Sequence, residues 1–133
     1  MSRNVLFIER TIRVMDHLAL AVRDQESSRR FYATYLGFDA PAREYSGGVL
    51  MLYNSGGFAL ALGPSEGPVE MPRFFHFGIS LPAPEDVRSF RDRAAADGVA
   101  IVEEWDEPDY VSVKCLDPDG YVVEVSWEPT PEG

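Results

Sequence analysis

The chain has a single cysteine, Cys115, so no disulfide can form within it, and a reducing, cytoplasmic setting is expected. Cations are scarce as well: 12 lysines and arginines stand against 22 acids, a formal net charge of −10. With no Lys/Arg-rich run, the sequence lacks the electrostatic footprint of a nucleic-acid or anionic-membrane binder. The excess acid serves solubility or favours a cationic ligand. Long apolar runs are missing too. The stretch Val5-Leu6-Phe7-Ile8 is too short for a signal segment or a membrane span, and neither is expected. Histidine is scarce as well, present only as His17 and His76. The remainder is ordinary: 133 residues, 45% hydrophobic and 26% charged, predict one globular domain over 1–133 whose core needs no staple.

The domain reads as an internal repeat. "HLALAV" at 17–22 alternates, with His17, Ala19 and Ala21 on one face and Leu18, Leu20 and Val22 on the other, which predicts a strand. A helix follows, from an Asp24 cap through Phe31 and Tyr35 to Gly37. Short strands are expected near 38–46, 49–53 and 58–63, with turns at Gly47-Gly48 and at residues 54–57. The second half repeats the pattern. A strand at 74–81 leads to a helix over 82–98, with Glu85 and Asp86 in its first turn and Gly98 past its end. Strands at 99–105, 110–116 and 121–127 then follow, the last two joined by Asp117-Pro118-Asp119-Gly120. His17 and His76 differ by 59 positions, as do Phe31 and Phe90, and the two turns differ by 63. The fold class is therefore α+β, built from two βαβββ modules near 14–65 and 73–128 with a linker over 64–72. Each histidine falls on the first strand of its module.

The last strand carries a third polar signal. Tyr121, Val123, Val125 and Trp127 form its apolar face, and Glu124 sits on the other, between Val122 and Ser126. A carboxylate mid-strand is costly to bury unless a cation meets it. Two histidines and one carboxylate on rigid strands match a facial triad, which leaves metal positions open for substrate or oxygen. Taken singly, a buried histidine is more often a hydrogen-bonded core residue, and Glu124 could equally be an edge charge facing water. The case for a metal rests on the repeat-equivalent placement.

The stretches "MDHLALAVRDQESSRRFYATYLGF", "FHFGIS", "AAADGVAI" and "DPDGYVVEVSW" span most of residues 15–127, and they resemble the vicinal-oxygen-chelate superfamily. This group includes glyoxalase I, fosfomycin- and bleomycin-resistance proteins and extradiol dioxygenases. The resemblance implies paired modules forming an open, cup-shaped mixed sheet around a divalent metal held by His17, His76 and Glu124. Fe(II) or Mn(II) is the first expectation, with Zn(II) or Ni(II) as alternatives. The superfamily's fourth ligand position maps to residue 61, and Ala61 cannot ligate, which counts against glyoxalase I and methylmalonyl-CoA epimerase chemistry. Ala19, where fosfomycin-resistance transferases carry Thr, and the pair Glu103-Glu104 count against a phosphonate. Extradiol dioxygenases share the ligand set but usually employ a further histidine, and this chain has none left. Bleomycin-binding relatives generally lack the ligands.

If Asp117 pairs with Tyr121, Lys114 lies opposite Glu124, and Tyr110 and Ser112 share that face. Lys114 and Tyr110 are thus the candidate proton-transfer or substrate-binding groups; alternatively Lys114 snorkels or balances charge and Tyr110 packs at the rim. Cys115 faces the core. The leading expectation is a cytoplasmic metalloenzyme acting on a small substrate with adjacent oxygens, dioxygenase-like because three protein ligands leave room for substrate and O₂. The alternatives are a non-catalytic protein that sequesters a drug-like molecule, and a metal-dependent lyase or isomerase. A homodimer is expected, in which His17 and His76 meet either within one chain or across two, with residues 1–13 forming a short strand that caps the partner.

Overall fold

The computed structural model describes residues 14–68 and 70–130, so the capping strand expected at 1–13 lies outside the described residues. The first module runs β1 (His17–Val22), α1 (Gln25–Leu36), β2 (Arg43–Tyr45), β3 (Val49–Tyr53) and β4 (Ala59–Pro64). The second runs β5 (Phe77–Ser80), α2 (Pro84–Ala96), β6 (Ile101–Glu107), β7 (Tyr110–Leu116) and β8 (Val122–Trp127). Each module folds into its own four-stranded sheet, in the orders β1-β4-β3-β2 and β5-β8-β7-β6. The first and last strands of each module pair parallel, and the rest pair antiparallel. Among the described residues no helix is long and apolar enough to cross a membrane.

Local chemistry accounts for the helix ends. The Asp24 side chain accepts from the Glu26 and Ser27 amides at 3.1 and 3.2 Å, which satisfies donors that α1 would otherwise leave bare. Gly37 ends α1 in the left-handed region at φ 75°, where a β-carbon would be strained. Pro84 opens α2, with Glu85 and Asp86 against its positive end. β2 is shorter than the sequence predicts, because Phe38 turns into the core after Gly37 and Pro41 has no amide to give a ladder. β6 starts two residues later than predicted, since the Val99 amide still bonds to the Ala94 carbonyl. The turns at 54–57 and 117–120 are structural equivalents. Asn54 Oδ1 accepts from the Phe58 amide and Asp117 Oδ1 from the Tyr121 amide, each at 2.9 Å.

The apolar faces of both sheets meet in one core with the helices. Leu20, Leu60 and Leu62 come from the first sheet, Val113, Val123 and Val125 from the second, and Tyr32 and Val87 from the helices. One buried polar contact ties the modules: the Tyr32 hydroxyl donates to Asp117 at 2.7 Å. The Tyr121 hydroxyl donates to the Ala21 carbonyl at 2.8 Å, and Arg23 pairs with Asp119. The second module therefore sits against the helix-covered side of the first, anchored at the far end of β1 from His17.

Tyr32→Phe should cost about 1–3 kcal/mol at neutral pH, because it leaves a buried carboxylate one donor short. Burial already holds the Asp117 carboxyl above its ordinary range, despite the hydrogen bonds it accepts. A group raised in this way supports folding when protonated and loses that support as pH rises through its folded value. Losing the hydroxyl donor raises it further, so the deficit should shrink toward about pH 4. Urea unfolding of both proteins at the two pH values checks this, and an equal deficit at both would contradict it.

Candidate metal centre

In each sheet one face packs into the core and the other lies open. The open face of the second sheet carries His76, just before β5, and Glu124, which sits beside Gly78 of β5 and opposite Lys114 of β7. Tyr110 and Ser112 lie on the same face, and their hydroxyls both donate to Glu124 Oε2 at 2.5 Å. This commits one carboxylate oxygen and leaves Oε1 turned toward His76, whose Nε2 lies 3.4 Å away. Burial alone would raise the Glu124 carboxyl. The Ser112 and Tyr110 hydrogen bonds, with Lys114 and His76 nearby, overturn that and hold it below the usual range.

Both histidines are oriented through Nδ1. His76 Nδ1 lies 2.8 Å from the Phe74 carbonyl, and His17 Nδ1 lies 2.7 Å from the Asp16 carboxylate. Neither partner oxygen can donate, so Nδ1 must carry the proton and Nε2 points outward with its lone pair. Phe74 adopts φ 70°, a left-handed conformation unfavourable for a residue with a β-carbon, and its carbonyl meets His76 from there. A lone pair on His76 Nε2 facing a carboxylate oxygen at 3.4 Å needs positive charge between or upon them. A proton on Nε2 supplies it, and so does a metal. Ligand bonds of about 2.0–2.1 Å place donors about 3.0–3.4 Å apart, depending on the bond angle, so the pair fits a divalent ion.

His17 does not join them within the chain. Its side chain is 67% exposed, against 23% for His76 and 14% for Glu124. Among the described residues no three His, Cys, Asp or Glu side chains lie close enough to hold a metal. The packing of the modules explains this. A cavity of about 500 Å³ separates β5 from the first sheet, and it is lined by Leu18 and Leu60, whose side chains point away from the His17 face. Ala61 pairs with Ala19 of β1 as Glu124 pairs with Gly78 of β5, so alanine occupies the sheet position equivalent to that of Glu124.

Lys114 lies opposite Glu124, as the turn arithmetic predicts, but it bonds to Glu103 at 3.0 Å and stands 5.7 Å from the centre of the Phe74 ring. A bulge between Ile101 and Glu103 puts Glu103 on the open face, while Glu104 pairs with Val113 on the other side. Trp105 Nε1 donates to Glu103 at 2.7 Å. Phe74, His76, Glu103 and Lys114 line a cavity of about 310 Å³. Sequence reasoning missed Phe74, Trp105 and Asp16 as neighbours of the site. One available signal was that Lys114 is the only lysine in the chain. The Cys115 thiol is buried on the core face and pushed up to about 11, which suits packing and not nucleophilic work.

A family model described as the Glyoxalase/Bleomycin resistance protein/Dioxygenase superfamily matches residues 14–125. Similar solved structures include the fosfomycin resistance protein FosX from Listeria monocytogenes, complexed with Mn(II) and sulfate ion. Its TM-score is 0.73 at 18% identity, covering 90% of this chain and 93% of that one. A possible glyoxalase from Bacillus cereus gives 0.70 at 25% identity, covering 84% and 96%. A glyoxalase/dioxygenase from Nostoc punctiforme gives 0.71 at 22% identity, covering 90% and 94%. No curated protein matches the chain.

The orientation of the imidazoles is directly measurable. Long-range ¹⁵N–¹H NMR spectra should show the neutral imidazoles of His17 and His76 protonated at Nδ1, with Nε2 bare. A neutral form protonated at Nε2 would contradict the arrangement.

Proposed function

The chain belongs to the Glyoxalase/Bleomycin resistance protein/Dioxygenase superfamily, and on that premise we propose that it is a divalent-metal-dependent enzyme acting on a small substrate with adjacent oxygens. In this reading His76 and Glu124 of one copy and His17 of a second hold the ion in a homodimer. The observation that carries the reading is the 3.4 Å approach of His76 Nε2 to Glu124 Oε1, with Nδ1 and Oε2 both committed to other partners. The second copy is supported by the open edges of β1 and β5 and by the exposed Val14, Met15, Phe74 and Phe75 beside them. Fe(II) or Mn(II) suits two imidazoles and a carboxylate, with Zn(II) or Ni(II) as alternatives. The single unpaired cysteine fits a cytoplasmic location.

A bound ion of this kind supplies Lewis-acid polarisation of two substrate oxygens and leaves positions for O₂, since Ala61 vacates the fourth ligand position. The leading reaction class is therefore dioxygenation. The chain's own groups do the remaining work. Ser112 and Tyr110 hold Glu124 Oε2, so the carboxylate presents one fixed oxygen. Burial, together with the Glu124 hydrogen bond, raises the Tyr110 phenol, which keeps its proton as a donor. In this reading Lys114, whose Nζ lies between Glu103 and the Phe74 ring, holds or moves a proton at a substrate oxygen. The exposed Phe74 and Trp105 rings favour a second reading, stoichiometric sequestration of an aromatic molecule.

Elemental analysis of anaerobically purified protein tests the proposal. About one Fe or Mn per chain is expected, lost in Glu124→Ala, with affinity lowered about 10–100-fold in Ser112→Ala. Chelation should abolish turnover of catechols, vicinal diols or 2-oxo acids, and Lys114→Ala should lower turnover at unchanged metal content. Turnover that survives chelation, or metal-independent binding without turnover, would overturn the metalloenzyme reading.

A further inference from the structure

We propose that Arg43, with the Tyr45 and Tyr53 hydroxyls, forms a carboxylate-binding end of the substrate site on the open face of the first sheet. The inference rests on the assignment of His17 as a metal ligand and adds the chemical class of the molecule bound there: a ring-sized monoanion that chelates at one end and carries its carboxylate at the other.

The strand register sets out this surface. His17, Ala59 and Tyr53 occupy one cross-strand row, and Ala19, Ala61, Met51 and Arg43 occupy the next. Side chains in such rows share a face, and alternation places Tyr45 on it too. Between the histidine and the tyrosines lie the methyl groups of Ala59 and Ala61, and Met51 stands between Ala61 and Arg43. Tyr53 stands two strands from His17, about 10 Å at the usual strand spacing, enough for an aromatic ring to lie across the alanines.

The wall is built for an anion. The Tyr45 and Tyr53 hydroxyls meet at 3.2 Å, and the Arg43 guanidinium carbon lies 6.0 Å from the centre of the Tyr53 ring. Among the described residues Arg43 has no carboxylate within ion-pair distance. Arg23, Arg29, Arg88 and Arg91 each have one, and Arg30, Arg73 and Arg93, like Arg43, have none among the described residues. In a chain with 22 acids and 12 bases, an exposed arginine without a carboxylate among the described residues, on a tyrosine-edged sheet face, is available to a ligand. A planar guanidinium fork matches a carboxylate bidentately, and phenol hydroxyls can complete its acceptor set. One arginine balances one negative charge. A doubly charged phosphonate would need a second cation, and Lys114 on the other sheet is already paired with Glu103.

The test compares 3,4-dihydroxybenzoate with its neutral match, 3,4-dihydroxybenzamide, by calorimetric titration of the full chain, Mn(II)-loaded and chelator-treated. The acid should bind about 10-fold more tightly than the amide, the scale of a charge-assisted hydrogen-bonded pair. The ratio should collapse to about unity in Arg43→Leu and be partly restored in Arg43→Lys, which keeps the charge but loses the fork. Equal binding of acid and amide, a preference that survives Arg43→Leu, or no measurable binding of the acid would each overturn the proposal. Pairing of Arg43 with an acid of the second copy would show as equal binding together with a weaker dimer in Arg43→Leu. The metal reading fails separately, if chelation leaves both affinities unchanged, while the acid-to-amide ratio still reports on Arg43.

Discussion

Asp117 accepts the Tyr32 hydroxyl at 2.7 Å and two amides of its own turn, and this buried contact fixes how the second module sits on the first. The partners are 85 residues apart, joining the helix of one module to the last hairpin of the other. Losing the Tyr32 donor would leave that buried carboxylate one partner short, a cost of about 1–3 kcal/mol that favours this one arrangement of the modules. With the helix-covered sides joined, the two remaining sheet faces are left open. One open face carries His17 and the other carries His76 and Glu124. The buried contact thus decides that neither open face holds a full ligand set within the chain.

The open faces differ in character. The second sheet gathers charge: Glu124 is held by two hydroxyls, Lys114 by Glu103, and His76 by a backbone carbonyl that Phe74 presents from a strained conformation. Nearly every polar atom is committed except His76 Nε2 and Glu124 Oε1, which face each other. Such pre-arrangement is what a tight metal site requires, since ligands already oriented lose little freedom on binding. The first sheet offers one free imidazole nitrogen, a floor of alanines and a tyrosine-edged arginine. Brought together, the two would form a cup with a metal-binding side and an anion-binding side.

Much of this was legible in the sequence because the repeat is exact at the positions that matter. The offset of 59 placed His76 where His17 stands, and the offset of 63 aligned turns that prove equivalent down to the side-chain oxygen capping each one. The arithmetic of the last turn put Lys114 opposite Glu124 and faced Tyr110 and Ser112 toward it. What was not legible depends on long-range packing. The Glu103 pairing requires a bulge that shifts β6 by one residue, and no local signal marks it. The separation of His17 follows from the Tyr32 and Asp117 contact, which has no spacing signature. The trimming of β2 was foreseeable, since Pro41 and the turn of Phe38 into the core both oppose a longer strand.

The central claim is that the metal site is completed by a second copy of the chain, and mixed dimers test it most directly. A His17→Ala chain and a Glu124→Ala chain, co-expressed with different tags and purified through both, each lack a ligand of their own. If ligands are shared across the dimer, one site in the mixed species regains His17 from one chain and His76 with Glu124 from the other. About one metal per mixed dimer is then expected, against none in either parent dimer. A mixed dimer as empty as its parents would mean that the three residues do not complement one another across chains, and the shared site would be wrong.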